Sequence, residues 1–394
     1  MYSWYIKYSR GKVAMDIPLY EKIFNYIFDK IKEGTLKNGD RVSSEKELAD
    51  QFNVSRITSK KALELLSQYK LVERIQGKGT FVSGTMPELK DMKSTSQAEA
   101  TDPKLEKDEE WRTVGVILPD FADSFGATLI RGIEEACSLQ QCHLLMKLTY
   151  DKREEEEAAI RSFARLGVDG IIVFPGHGEH YNSELLRLVL DGFPIVFVDR
   201  YLKGIAASSV YTDNRKAAFD LTNTLLEKGN RPIGFLSAPA ENTSTIEDRL
   251  LGFTDACQQR GWTPKPEHIM TNLYSSLPQS FDKPYVQADI ERVRRFVELN
   301  PELNAFVSAE YNLALILREV LHSIGKSIPE DYEIGCFDSP GQPFGEYLFT
   351  HVRQNEREMG RKAVEILLCM WDHEDTKLNN IVAHEIVKGV STIS

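Results

Sequence analysis

The sequence predicts an α+β winged helix-turn-helix unit joined to a larger, two-lobed α/β unit built on parallel sheets. Three observations carry that expectation. Residues 16–85 read as three short amphipathic helices followed by two short strands around a Gly-rich tip. Residues 86–110 lack aromatic and β-branched aliphatic side chains and are rich in Lys, Glu, Ser and Thr, so they cannot bury a core and read as a linker. Residues 111–394 alternate short apolar strands with longer helical patterns, the signature of a parallel sheet covered on both faces.

Length and composition agree with this division. A chain of 394 residues exceeds one ordinary core. The formal charge is -11, so any basic surface for a polyanion must be local. The five cysteines, Cys137, Cys142, Cys257, Cys336 and Cys369, form no CxxC pair, which speaks against a zinc module or disulfide framework and fits a reducing cytosol. No window has the length and apolarity of a membrane span, and residues 1–15, an N-terminal extension, lack the apolar core of a signal peptide. The expected location is cytoplasmic, with no membrane partner.

Within 16–85 the first helix starts near Pro18, carries Leu19, Ile23, Ile27 and Ile31 on one stripe, and ends at Gly34. Its aromatics Tyr20, Phe24, Tyr26 and Phe28 read as core. Ser43 and Ser44 cap a second helix from Glu45, and Ser55 caps a third running from Arg56 to Tyr69. Strands around Leu71–Ile75 and Thr80–Ser83 flank Gln76-Gly77-Lys78-Gly79. The start of the third helix offers hydroxyls, free N–H groups and cations in Ser55, Arg56, Thr58, Ser59 and Lys60, a kit for phosphates and base edges. Lys78 at the wing tip suits a minor groove. A basic helix or a Gly-Lys-Gly turn alone says little; in this order they point to double-stranded DNA.

Residues 17–83 closely resemble the winged-helix domain of the GntR family, through Ser44-Glu-Lys-Glu-Leu-Ala, Val54-Ser-Arg-Ile-Thr, Ala62-Leu-Glu-Leu-Leu and Gly77-Lys-Gly-Thr-Phe-Val. The resemblance implies DNA contacts from Lys46, Ser55, Arg56, Thr58, Lys60 and the glycine-rich wing of Gly77, Lys78 and Gly79; Ser44 and Ser59, at the starts of the second and third helices, are expected beside them at the DNA. Lys46 and Lys60 stand where the family usually has arginine, which keeps charge but loses the two-pronged geometry.

In 111–394 the expected strands are Thr113–Leu118, His143–Leu148, Gly170–Phe174, Ile195–Val198, Ser209–Thr212, Ile233–Leu236, Ala305–Ser308 and Glu333–Cys336. Helical patterns such as Gly126–Gln140, Glu154–Leu166 and Asn214–Lys228 separate them. Polar residues follow the strand ends: Ser124 and Phe125, Asp199 and Arg200, Glu310, Asp338 and Gln354, with Thr245 and Arg249 after Leu236. Open α/β sheets bind ligands at such carboxyl ends. Carboxylates, an arginine and an aromatic ring together suit a polyol.

This ladder resembles the effector domain of LacI-family repressors, related to periplasmic sugar-binding proteins, through Thr113-Val-Gly-Val-Ile-Leu-Pro-Asp, Gly167-Val-Asp-Gly-Ile-Ile-Val, Val196-Phe-Val-Asp-Arg and Arg249-Leu-Leu-Gly-Phe. The resemblance implies Arg249 as ligand anchor, with Asp338, Asp199, Thr245, Gln354 and the Ser124-Phe125 loop around it; Arg200 and Glu310 join them as candidates from their places past strand ends. It implies lobe 1 at about 111–212 and 354–371, and lobe 2 at about 213–353 and 372–394. Glu310 departs from the family, which usually shows Asn-Asp there. A GntR head with a LacI-type sensor is the layout of AraR-type arabinose repressors.

The expected function is thus a ligand-responsive regulator, a homodimer released from operator DNA by a sugar such as L-arabinose or another pentose. An activator of the same make-up, or a sugar-modifying enzyme fused to a DNA-binding module, remains the alternative; no nucleophile–base constellation supports the enzyme. No cofactor and no metal are expected. His177-Gly-Glu-His180 lies in a Gly-rich loop without a defined ligand geometry and reads as an exposed loop, and Glu154–Glu157 reads as a solvated helix start.

Overall fold

Apolar residues at three- and four-residue spacing in the first segment give α1 (Leu19–Lys32), which buries Ile23, Phe24, Ile27 and Phe28. Tyr26 packs edge-on against Phe52 with centroids 5.1 Å apart, and Tyr20 lies under Lys61, so the aromatic stripe is core and its margin. The computed structural model describes residues 19–32, 34–68, 71–75, 78–83, 111–176, 182–227, 229, 232–342 and 344–393. The linker at 86–110, the extension at 1–15, Gly77 and His177–His180 lie outside the described residues. The chain divides into two compact units, before and after Ala100.

In the first unit β1 (Arg41–Val42) precedes α2 (Glu45–Phe52), α3 (Arg56–Gln68), β2 (Val72–Ile75) and β3 (Gly79–Val82). The three strands pair antiparallel in the order β1-β3-β2. Ser44 and Glu47 form a reciprocal capping box that starts α2. Asn53 ends it in the left-handed conformation, φ 51°, turning the chain into α3. Leu48, Ala62, Leu63 and Leu66 close the core beneath.

The second unit contains two six-stranded sheets. The first is built from β4 (Arg112–Leu118), β5 (Cys142–Leu148), β6 (Gly170–Val173), β7 (Ile195–Val198) and β8 (Ser208–Thr212), with α4 (Ala127–Leu139), α5 (Arg153–Leu166) and α6 (Ser183–Leu190) between them. After α7 (Asn214–Leu226) the second sheet takes β9 (Ile233–Leu236), β10 (Ile269–Met270), β11 (Ala305–Ser308), β12 (Glu333–Phe337) and β13 (Thr350–Gln354), with α8 (Ser244–Gln259), α9 (Lys283–Leu299) and α10 (Tyr311–Ser323). The chain then returns through α11 (Glu356–Trp371) to β14 (Asn379–Val382) and ends with β15 (His384–Val387).

The first sheet runs β14-β8-β7-β6-β4-β5 and is wholly parallel. The second runs β10-β9-β11-β12-β13-β15, parallel except for the β13–β15 edge. This corrects the expected lobe boundary. Residues 379–382 belong to the first sheet, where Asn379 pairs with Ser209, so the third crossing follows Val382 and not Trp371. The cause is local. Tyr211 donates to Asn379 Oδ1 at 3.2 Å, and Asn380 Nδ2 donates to the Ser209 carbonyl at 3.3 Å. A four-residue strand with Ile381 exposed and Val382 buried carries too little apolar pattern to read from sequence.

Glu156 is a second correction. The carboxylate run Glu154–Glu157 opens α5, but Glu156 turns inward, is buried, and accepts from Asn182 Nδ2 at 2.9 Å. Burial raises its pKa. Strictly parallel strands leave every carboxyl end of a sheet on one side. That geometry places the residues described next.

Candidate functional site

In the first unit a concavity of about 510 Å³ opens between α2, α3 and the wing. Ser44, Lys46, Arg56 and Gly79 line it together, joined by Arg41 and Arg74, which the sequence reading had not singled out. Arg41 sits on the short β1 and Arg74 on β2; only the antiparallel pairing with β3 brings them beside α3. Arg74 is tied to Glu45 at 2.8 Å. Gly79 has φ +120°, a conformation that side chains disfavour, so the wing turns where glycine stands.

The other predicted residues divide. Arg56 and Lys78 are exposed, and Lys60 pairs with Glu64 at 3.6 Å on the surface. Ser55 Oγ accepts from the Thr58 N–H at 3.2 Å and bonds the Thr58 hydroxyl at 2.9 Å, so this pair caps α3. Ser59 is a correction. It is fully buried, and its hydroxyl donates to the Glu45 carbonyl at 2.7 Å and to the Arg56 carbonyl at 3.1 Å. Its hydroxyl ties α3 to α2 and is inaccessible to a phosphate.

In the second unit a cavity of about 380 Å³ lies between the carboxyl ends of the two sheets. All nine residues singled out from sequence line it: Ser124, Phe125, Asp199, Arg200, Thr245, Arg249, Glu310, Asp338 and Gln354. Asp199 follows β7 and Asp338 follows β12, both in the left-handed conformation at φ 64° and 63°. Asp tolerates that region better than most residues, and it turns each carboxylate off its strand end. Phe125 meets Phe174 edge-to-face at 6.1 Å, giving one wall an apolar surface.

Arg249 organises the site. It projects from α8, is 5% exposed, and donates through Nε to Asn214 at 2.8 Å and through Nη1 to the Ala309 carbonyl at 2.7 Å. Its guanidinium lies 3.9 Å from the Phe337 ring centroid. Burial lowers its pKa, and the nearby carboxylates of Asp338, Asp199 and Glu310 oppose that shift. Burial likewise pushes Asp338 up to about 8 against the pull of Arg249, and raises Asp199. Gln354 donates to both Asp338 oxygens at 3.0 and 3.2 Å, while its own buried Oε1 has no hydrogen-bond partner among the described residues. Arg200 donates to the Pro175 carbonyl at 3.0 Å and stacks over Phe174. An acceptor-rich, aromatic-walled cleft, with Arg249 buried and Arg200 partly buried among its carboxyl groups, suits a neutral ligand bearing several hydroxyls.

The loop between β10 and α9 was missed. Ser276, Leu277, Pro278, Gln279 and Phe281 close one side of the cavity, and Ser276 donates to Glu310 at 2.7 Å. The buried carboxylate of Asp289 holds this loop by accepting the N–H groups of Tyr274 and Ser275 at 2.8 and 2.7 Å. An Asp in mid-helix gives no sign in sequence that it braces a loop before that helix.

No helix among the described residues is long and apolar enough to cross a membrane. Residues 19–82 match the model of bacterial regulatory proteins of the gntR family, and residues 222–392 match that of the periplasmic binding protein-like domain. The arabinose metabolism transcriptional repressor of Geobacillus stearothermophilus is 28% identical over 377 residues, covering 93% of this chain and 95% of that protein. The protein of the same name from Halalkalibacterium halodurans is 27% identical over 90% of each chain. The crystal structure of the transcription regulator CcpA of Lactococcus lactis shares the fold with TM-score 0.63 and 23% identity, over 72% of this chain and 99% of that one. The chain thus carries, in order, a segment that matches the gntR-family regulatory model and one that matches the periplasmic binding protein-like model, and over 93% of its length it is similar to an arabinose metabolism transcriptional repressor.

Proposed function

We propose that this regulator is a cytoplasmic, homodimeric repressor of carbohydrate-utilisation genes, released from its operator by a monosaccharide, with L-arabinose the first candidate. The observation that carries the reading is the convergence of nine polar and aromatic side chains from two separate sheets on one cavity, at the lower end of the size range of small-ligand sites. Arg249 anchors the sugar. The carboxyl groups of Asp199, Asp338 and Glu310 hydrogen-bond its hydroxyls, the orphaned Gln354 Oε1 gains a donor, and Phe125 and Phe174 cover an apolar ring face. The choice of pentose rests on the arabinose repressors to which the chain is similar.

In the head, Arg56 reads base edges at the start of α3. Lys46, Lys60, Lys78, Arg41 and Arg74 hold phosphates and set affinity rather than sequence choice. Ser44, Ser55 and Thr58 fix the two helix starts, whose free N–H groups face the same backbone. Two heads of a dimer read two half-sites, so the spacing of the heads governs affinity. The sugar acts by binding the DNA-incompetent arrangement more tightly.

A thermal-shift screen of the purified chain against pentoses, hexoses and disaccharides tests the ligand. A rise in melting temperature with L-arabinose, dose-dependent as mass action requires, is the expected result. A rise only with another class of sugar reassigns the effector, and a flat response to all of them overturns the sugar reading.

A further inference from the structure

We propose that Glu356 is a positioning residue for effector binding: it caps α4 from another part of the chain and so fixes the Ser124–Phe125 wall of the cavity to the segment that carries Gln354. This inference rests on the cavity being the effector site.

Helix α4 begins at Gly126, in a conformation of φ +100°, and has no side-chain cap of its own. Its first N–H groups follow Phe125 directly in the chain. Glu356, in the first turn of α11, supplies the cap: its Oε2 accepts the Gly126 N–H at 2.7 Å and the Leu129 N–H at 3.3 Å. The reach depends on a close approach of backbones. A methyl at Gly132 would collide with the backbone of Arg357, and one at Gly360 would lie 2.5 Å from the Leu129 carbonyl oxygen. Glycine at both positions lets α4 and α11 touch, which brings the carboxylate to the helix end.

Two residues earlier, Gln354 donates to Asp338. The short crossing 354–356 thus grips the second sheet's ligand carboxylate at one end and the first lobe's ligand loop at the other. Displacing either end misplaces the opposite wall. Phe121 enters the same arrangement, since a Cβ at Gly126 would lie 2.6 Å from its own Cβ, so the loop has little slack.

Burial pushes Glu356 up to about 7, opposed by the N–H groups of Gly126 and Leu129, with Asp199 adding to the rise. The charged groups around it are Asp199 beyond β7, Asp338 beyond β12 with Arg249 beside it, and the Arg357–Glu135 pair on the adjoining turns of α11 and α4. A charged carboxylate holds a helix N-terminus more firmly than a neutral one. The cap is therefore tight above pH 7 and looser below it.

The test compares the full chain with Glu356→Gln and Glu356→Ala, using L-arabinose as probe and hydrogen exchange of residues 126–130 in the free protein. Gln mimics the protonated acid. The expected dissociation constant of Glu356→Gln is about threefold to tenfold above wild type at pH 8.5, from the usual strength of a charge at a helix end, and converges with wild type at pH 5.5. Glu356→Ala exchanges 126–130 faster than wild type at pH 8.5, and Glu356→Gln falls between. A variant-to-wild-type ratio that does not change with pH overturns the proposal. So does unchanged exchange in Glu356→Ala, whether or not L-arabinose binds. If L-arabinose fails to bind wild type while exchange responds as expected, the effector assignment fails and the positioning role stands.

Discussion

The two arginines that matter most, Arg56 and Arg249, sit in opposite surroundings. Arg56 is exposed at the start of α3, in a concavity whose other cations also face solvent. Arg249 is buried, with its nitrogens engaged by Asn214 and the Ala309 carbonyl and its face on Phe337. A solvated cation costs the fold nothing and gains its energy only when a polyanion arrives and counterions leave. A buried one must be neutralised and hydrogen-bonded from within before any ligand comes. The head thus holds its charges in reserve, and the effector domain uses its charge to hold a cluster of carboxylates in place.

Removing each arginine sharpens that contrast. Arg249→Ala removes the buried hydrogen bonds to Asn214 and the Ala309 carbonyl and the positive charge near Asp338, Asp199 and Glu310, and is expected to cost about 3 kcal/mol of stability in the effector domain, together with all sugar response. Calorimetric unfolding with and without L-arabinose reads both effects; a variant with wild-type stability and response breaks the comparison. Arg56→Ala is expected to lose about 1–3 kcal/mol of operator binding, roughly 5- to 150-fold, while unfolding stays within about 0.5 kcal/mol of wild type. A large drop in melting temperature for Arg56→Ala contradicts a cation held in reserve.

A third prediction uses pH. Asp338 stands at about 8 in the folded protein against an ordinary 3.8. The folded state therefore keeps a proton that the unfolded chain releases between those values. Its contribution to stability is fully present below about 4 and is lost as pH rises through about 8. The effector domain of Asp338→Asn is expected to lose less melting temperature than wild type between pH 5 and 8. Equal slopes contradict burial as the source of the shift.

The smallest effects separate charge from packing within the head. Lys60→Ala is expected to weaken binding to every DNA sequence alike and to lower the salt-dependence slope by about one, as loss of a phosphate contact does. Ser59→Ala removes the buried link to Glu45 at a cost of about 1 kcal/mol, with operator affinity of the folded protein unchanged. A Ser59→Ala variant that folds normally and binds DNA poorly restores Ser59 to the interface.

The same contrast governs what could be read from the sequence. Strand ends were legible because β7 and β9 are short apolar runs followed at once by Asp199 and Ser237, and β6 is followed within two residues by Pro175, while parallel topology gathers such ends on one side. Arg249 was legible through the Arg-Leu-Leu-Gly-Phe pattern. Arg41, Arg74 and the Ser276–Phe281 loop were not, because their places depend on sheet pairing and on the anchor at Asp289, contacts distant in sequence. Ser59 was misread because helical position alone leaves open which side of α3 faces α2. The third crossing was misplaced because β14 is a four-residue strand held by its ladder to β8, with only Val382 of its side chains in the apolar core, too little pattern to read from sequence.

The measurement that tests the central claim most directly is operator affinity of the full chain, on DNA selected in vitro by that chain, at one fixed salt concentration with and without saturating L-arabinose. The account predicts that the sugar weakens binding by about 5- to 150-fold, the usual range of coupling between two sites. Unchanged operator affinity, in a protein shown calorimetrically to hold the sugar, would contradict it.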